Sequence, residues 1–212
     1  MQSNISDVEK RVTRYWYTDG IAELIGGGMF ILLGLYFAAQ EFMGQNSLAS
    51  GLLQASLALL MIGGAFISRR LVNALKARLT YPRTGYVEYQ VNEDQTKRRR
   101  IWAFVLAFAV SALTMIFVRT FQIIDSIVAV TGVVVGLLLI FLRAKSAGIT
   151  RFYFLGGISF VLGLALSISE LPNGYSLGLF YALMGVCFLI SGGITLGRYL
   201  HENPLPVDGR DE

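Results

Sequence analysis

Six long apolar runs dominate this chain and constrain its fold more than any other feature. About 20 apolar residues in a helix cross the roughly 30 Å hydrocarbon layer of a bilayer. Hydrophobic residues make up 54% of the chain and charged residues only 15%, which excludes an ordinary soluble domain. We therefore predict an all-α integral membrane protein with six transmembrane helices in three hairpins. The runs occupy residues 21–40, 48–68, 101–118, 123–142, 152–169 and 175–197.

The basic residues predict the orientation of these helices. Of the 18 Lys and Arg residues, Arg119 alone falls on the side opposite the others. By the positive-inside rule, both termini and the 69–100 loop lie in the cytoplasm. The basic charge then follows from topology, and nucleic-acid binding is not predicted. The predicted parts are an N-terminal segment 1–20, hairpins 21–68, 101–142 and 152–197, a basic loop 69–100, a loop 143–151 and a tail 198–212.

Two carboxylates, Glu23 and Asp125, are the charges inside the apolar runs. Each lies within three residues of a run's end, where it is expected to reach water or lipid headgroups. A cleaved signal peptide ending near residues 37–40 is the alternative for the first run. That run is long for a signal peptide, and the segment before it contains three acidic residues, so a retained helix is favoured.

The first and third hairpins resemble each other. A shift of 129 residues aligns 13 identities over 45 positions, including Gly27 with Gly156 and Glu41 with Glu170. Since the two hairpins are separated by an even number of crossings, they form a parallel repeat. The alternative is that both are simply rich in Gly and Leu.

Small residues at four-residue spacing predict close helix packing, because they let backbones approach where lipid gives no hydrophobic drive between helices. Packing within one chain is favoured over packing between copies. The stripes are Gly132–Gly136, Gly193–Gly197, and Ser159 with Gly163 and Ser167.

Residue types that carry catalysis are scarce. The one histidine, His201, lies in the predicted tail, and the one cysteine, Cys187, lies inside the last run. No HExxH, GxSxG or Walker sequence is present. We therefore predict a protein that is not an enzyme and has neither a cofactor nor a metal site.

Charged residues suggest two surface sites. On the predicted outer side, four residues are candidates for a polar mouth, with solvated helix ends as the alternative: Glu41, Arg119, Asp125 and Glu170. On the cytoplasmic side, two basic clusters are candidates for anionic lipid headgroups. The alternative for these is a purely topogenic role. They are Arg69, Arg70, Lys97, Arg98, Arg99 and Arg100.

The stretch "LTYPRTGYVEYQV" at 79–91 is too patterned for a slack linker. Before it, residues 69–80 form either an interfacial helix or an extension of the second helix. After Pro82, Val87, Tyr89 and Val91 alternate with polar residues, which predicts a small β-like loop. Arg83 and Tyr86 are candidates for contact with a partner. The alternative is that they clamp the loop to the bundle.

Two motifs support a resemblance. "RYWY" at 14–17 precedes a glycine-rich first helix, and "TYPRTGYVEY" at 80–89 follows the second. Together they resemble an uncharacterised family of small bacterial multi-pass membrane proteins. The resemblance implies a bacterial plasma (inner) membrane location and supplies no known activity.

The sequence thus favours a non-catalytic membrane protein with a cytoplasmic docking or regulatory surface. Its predicted partners are the bilayer, anionic lipid headgroups, a cytoplasmic protein and a second copy of the chain. The alternative is a small transporter or channel with its pathway between the repeated hairpins.

Overall fold

The computed structural model describes residues 17–43, 48–84, 127–141 and 149–204, which are helical almost throughout, with no strand among them. The predicted all-helical class is therefore confirmed for these residues. In chain order the helices are α1 (Ile21–Met43), α2 (Leu48–Leu79), α3 (Tyr81–Thr84), α4 (Ile127–Leu138), α5 (Arg151–Ser167) and α6 (Asn173–Glu202).

Among the described residues, three helices are long and apolar enough to cross a membrane. They are α1, α6, and α2 with its continuation to Arg83, while α4 and α5 are shorter apolar helices. Helix α2 does not end at residue 68 but continues without a break to Leu79, so residues 69–79 extend the second helix. Many of its apolar side chains face outward, including Leu52, Ile62 and Phe66, which are 75, 74 and 60% exposed. Soluble proteins rarely expose apolar surface in this way, whereas a lipid-facing helix requires it.

The first and last helices pack against each other through a glycine seam. Gly20, Gly27 and Gly34 of the first helix region face three glycines of α6, Gly192, Gly185 and Gly178. Because the partner number falls as the α1 number rises, the two helices are antiparallel. A seven-residue spacing keeps these positions on one helix face. A Cβ on Gly27 would lie 2.8 Å from the Gly185 carbonyl oxygen, so the backbones are in direct contact.

Helices α4 and α5 form a second close-packed pair. A Cβ on Gly132 would lie 2.6 Å from the Gly163 Cα, and the Ser159 hydroxyl donates to the Gly132 carbonyl oxygen at 2.8 Å. Gly136 faces Gly156 in the same way. The Gly132–Gly136 stripe therefore packs within the chain, as predicted. Gly193 and Gly197 differ, since no neighbouring atom lies within 4 Å of a Cβ built at either.

Several sequence predictions fall outside the described residues. These include the third apolar run at 101–118, most of the N-terminal segment 1–20, of which only 17–20 are described, and the strand-like residues Val87, Tyr89 and Val91. The part of the 79–91 stretch that is described continues α2 as a turn at Thr80 and a short helix, α3. The repeat remains a prediction. At one pair of matched positions the contacts differ, because Gly64 lies against Met29 whereas Gly193 faces open space.

Candidate functional site

One end of the bundle holds a cluster of buried charges that begins at the turn before α1. Gly20 has a φ of 72°, a conformation that glycine adopts without strain, and it presses against the Gly192 carbonyl oxygen of α6. Just before it, Asp19 Oδ1 accepts a hydrogen bond from the Ile21 backbone N–H at 3.2 Å. The turn thus starts α1 and aims the Asp19 carboxylate toward α2.

Asp19 joins α1 to the extended end of α2. Its Oδ2 lies 2.9 Å from Lys76 Nζ and accepts a hydrogen bond from the Thr80 hydroxyl at 3.0 Å. Both charged side chains are 1% exposed. Removing an ion from water is costly unless it is paired, so these partners are a condition for burying the Asp19 carboxylate. Lys76 and Thr80 are four residues apart and therefore share a helix face.

Glu23 joins α1 to α5 and α6. Arg151 Nε and Nη2 lie 2.7 and 2.5 Å from Glu23 Oε1, and the Ser191 hydroxyl donates to Oε2 at 2.7 Å. Arg151 also donates to the Thr195 hydroxyl and to the Tyr17 carbonyl oxygen. The expectation that Glu23 reaches water or headgroups is wrong, because its side chain is 2% exposed and its partners are supplied by the protein.

Arg83 closes the same end of the bundle. Its Nη1 donates to the Asn203 carbonyl oxygen at 2.6 Å and to the Leu200 carbonyl oxygen at 3.3 Å. The last carbonyls of a helix have no partner within the helix, so a cation there is stabilising. These are the contacts of a clamp. A partner-binding role for Arg83 remains a prediction, and Tyr86 lies outside the described residues.

We call this region the polar end: residues 17–23, 76–83, 151 and 191–203. It ties together four helices from distant parts of the chain. Glu23 and Arg151, for example, are 128 residues apart. In the Asp19–Lys76 and Glu23–Arg151 pairs, each charge is neutralised by its partner. These two pairs therefore serve as a structural brace between helices. Among the described residues, no three His, Cys, Asp or Glu side chains come together as metal ligands.

A cleft of about 550 Å³ opens beside this brace, between α2 and the rest of the bundle. Its polar lining comes from Glu23, Ser68 and Arg69, and much of its apolar lining from aromatic rings such as Phe30 and Phe188. The Ser68 hydroxyl is buried, and none of the described residues forms a hydrogen bond with it. The volume falls within the range of about 300–1,000 Å³ typical of small-molecule sites. We call this space the Glu23 cleft.

The remaining predicted site residues lie on the surface or outside the described ranges. Arg69 and Arg70 are exposed, as the headgroup prediction requires, while 97–100 are not described. Glu41 and Glu170 are both exposed at the end of the bundle opposite the polar end, where Glu41 lies against Gly174. Arg119 and Asp125 are not described, so the outer mouth remains a prediction.

Sequence reasoning missed the roles of Asp19, Lys76 and Arg151. Val72, Lys76 and Thr80 follow one another at four-residue spacing and are all buried. An ionisable residue next to a membrane-length helix calls for a partner of opposite charge. That rule could have identified Asp19 and Glu23 as candidates for pairing. It could not have identified their partners.

Comparison of the chain with models of known protein families, with curated proteins and with solved structures found no match. The site must therefore be interpreted from its own geometry.

Proposed function

We propose that this protein is a non-catalytic multi-pass membrane protein whose polar end forms a cytoplasmic docking or regulatory surface. The observation that carries the proposal is the bracing of that end. The buried Asp19–Lys76 pair, the partly buried Glu23–Arg151 pair and the Arg83 clamp link residues from α1, α2, α5 and α6. A rigid surface binds a partner with less loss of conformational entropy than a loose one.

The exposed side chains at this end suggest the chemistry of a partner. Arg78 and His201 are exposed, as is Arg198, which pairs with Glu202 at 3.3 Å. The basic pair Arg69–Arg70 lies just over two turns before Arg78 on α2. Such a surface favours an acidic protein segment, and complementary charge increases the rate and specificity of association.

The proposed setting is a six-helix bundle in the bacterial plasma (inner) membrane, with both termini cytoplasmic and α1–α2 and α5–α6 as a parallel repeat. Apolar helices of membrane length support the membrane location. The antiparallel packing of α1 and α6 agrees with crossings in opposite directions. The bacterial assignment rests on the "RYWY" and "TYPRTGYVEY" resemblance.

One observation favours a second candidate, a small transporter or channel. The Glu23 cleft is a space within the bundle that is lined in part by polar groups, and transporter sites often lie between helices of repeated units. Against this, the carboxylate in the cleft is already paired with Arg151 and Ser191. The docking function is therefore the better supported of the two.

Native mass spectrometry of the gently solubilised full chain tests the proposal. We expect a protein partner to be retained, and to be lost when the exposed polar-end arginines are reversed in Arg78→Glu/Arg198→Glu. Reversing a charge at the opposite end, Glu170→Lys, is the matched control and should leave the partner bound. A chain that retains no protein and carries solute across liposome membranes would instead support the transporter.

A further inference from the structure

The lining of the Glu23 cleft is part polar and part apolar. Ser68 and Arg69 of α2 and Glu23 of α1 supply its polar groups. Phe30 and Phe188, whose ring centroids are 5.3 Å apart, line the apolar part together with Leu139. A ligand that fills this space must itself be amphipathic.

The charges that line the cleft indicate that the head of the ligand is negatively charged. Arg151 lies 2.5 Å from the Glu23 carboxylate and neutralises it. Among the described residues Arg69 has no ion-pair partner, and it is exposed at the mouth of the cleft. The adjacent Ser68 hydroxyl is buried without a hydrogen-bond partner among those residues. A buried hydroxyl is costly when unsatisfied, so a ligand oxygen there would satisfy it.

We propose that the Glu23 cleft binds an anionic phospholipid, with its phosphate at Arg69 and Ser68 and one acyl chain against the apolar lining that includes Phe30, Leu139 and Phe188. Arginine presents a planar fork of donors that matches phosphate geometry, and Ser68 adds a donor. The neighbouring outward face of α2, with Phe66 60% exposed, gives the lipid an approach from the bilayer. The inference rests on the proposed membrane location and orientation but does not depend on a protein partner.

Photolabelling of the full chain in detergent tests this site. The probe is phosphatidylglycerol with a diazirine at the end of one acyl chain, supplied at one equivalent, and the insertion site is mapped by peptide mass spectrometry. We expect insertion near Phe30 and Phe188. The matched zwitterionic probe, phosphatidylcholine with the same chain, should label these positions about fivefold less, since one juxtamembrane basic residue is worth about 1 kcal/mol near an anionic lipid.

Two neighbouring glycines provide a matched pair of variants. A Cβ at Gly26, which lines the cleft, meets nothing within 4 Å, and the same holds for Gly28, which is not among the lining residues. Gly26→Leu should fill the cleft and reduce labelling at least about fivefold, whereas Gly28→Leu should leave it unchanged. Both exchanges replace glycine by a strong helix former, so they affect helix stability alike.

The head contact has its own pair of variants. Arg69→Gln should abolish the preference for the anionic probe, while Arg70→Gln should keep it, because Arg70 is engaged with the Phe66 ring at 4.5 Å. Equal labelling of the Gly26→Leu and Gly28→Leu proteins would overturn the proposal, as would an unchanged preference in Arg69→Gln. These outcomes are separate from the docking function, since they are measured on the purified chain without a protein partner.

Discussion

At the scale of single residues, the Asp19–Lys76 pair is the most sensitive part of the polar end. Both side chains are 1% exposed, so removing one leaves the other charged and buried. Breaking a buried ion pair in this way typically costs about 3–5 kcal/mol. We expect Lys76→Met to lower the unfolding temperature strongly, because a methionine fits the space but cannot neutralise Asp19. Thermal unfolding of the purified chain in detergent measures this.

A double variant and a variant of an exposed residue are the controls for the Lys76→Met measurement. Asp19→Asn/Lys76→Met removes both charges and should be more stable than Lys76→Met alone, which a double-mutant cycle reports directly. Arg78→Met, two residues along α2 and exposed, should change stability by no more than about 0.5 kcal/mol. Equal losses at Lys76 and Arg78 would contradict the burial of the pair.

A variant of Arg83 distinguishes between its two possible roles, as a clamp within the bundle and as a docking residue. Its two hydrogen bonds to the Leu200 and Asn203 carbonyl oxygens hold α3 against the end of α6. Hydrogen bonds from a charged donor contribute about 1.5–3 kcal/mol, so we expect Arg83→Ala to lower the free energy of unfolding by about that much. An unchanged stability in denaturant or thermal unfolding, together with loss of a bound partner, would instead make Arg83 a docking residue.

At the scale of elements, the glycine seam predicts that alanine substitutions at neighbouring positions on α1 change the stability in opposite directions. A Cβ at Gly27 would meet the Gly185 carbonyl oxygen at 2.8 Å and the Leu189 nitrogen at 3.0 Å, both of them backbone atoms that cannot rotate away. Gly27→Ala must push α1 and α6 apart, and overpacking of this kind costs about 1–3 kcal/mol.

Gly28→Ala is the matched control for the seam. A Cβ at Gly28 has open space, so alanine there should stabilise the helix by about 0.5–1 kcal/mol. Unfolding midpoints of the two variants should therefore move in opposite directions from that of the unmodified chain. Midpoints that both rise would show that the two helices are not in backbone contact.

At the scale of the whole molecule, the apolar runs revealed the helices but not how they are arranged. Length and hydropathy predict the apolar parts of α1, α2 and α6, since these depend only on nearby residues, but not how far α2 continues beyond residue 68. The pairing of Glu23 with Arg151 depends on side chains 128 residues apart, and no local pattern records it. The burial of Lys76 likewise depends on Asp19, which only the tertiary fold brings near.

The orientation of the bundle gives the last prediction. The ion pairs and the Arg83 clamp place residues 17–20, 76–83, 151 and 195–203 at one end, and Glu41 meets Gly174 at the other. Single cysteines replacing Ser47 and Asn173 should therefore share one side of the membrane, and those replacing Thr96 and His201 the opposite side. The positive-inside rule makes the second side cytoplasmic.

An impermeant thiol reagent applied to intact cells checks this orientation, in a Cys187→Ala background that removes the natural cysteine. We expect labelling at positions 47 and 173 and protection at 96 and 201 until the membrane is permeabilised. Labelling of 96 and 201 alone would show the opposite orientation and would place the polar end outside, away from any cytoplasmic partner. Labelling of 47 but not 173 would contradict the predicted crossing pattern, in which the outer ends of the first and third hairpins share one side of the membrane.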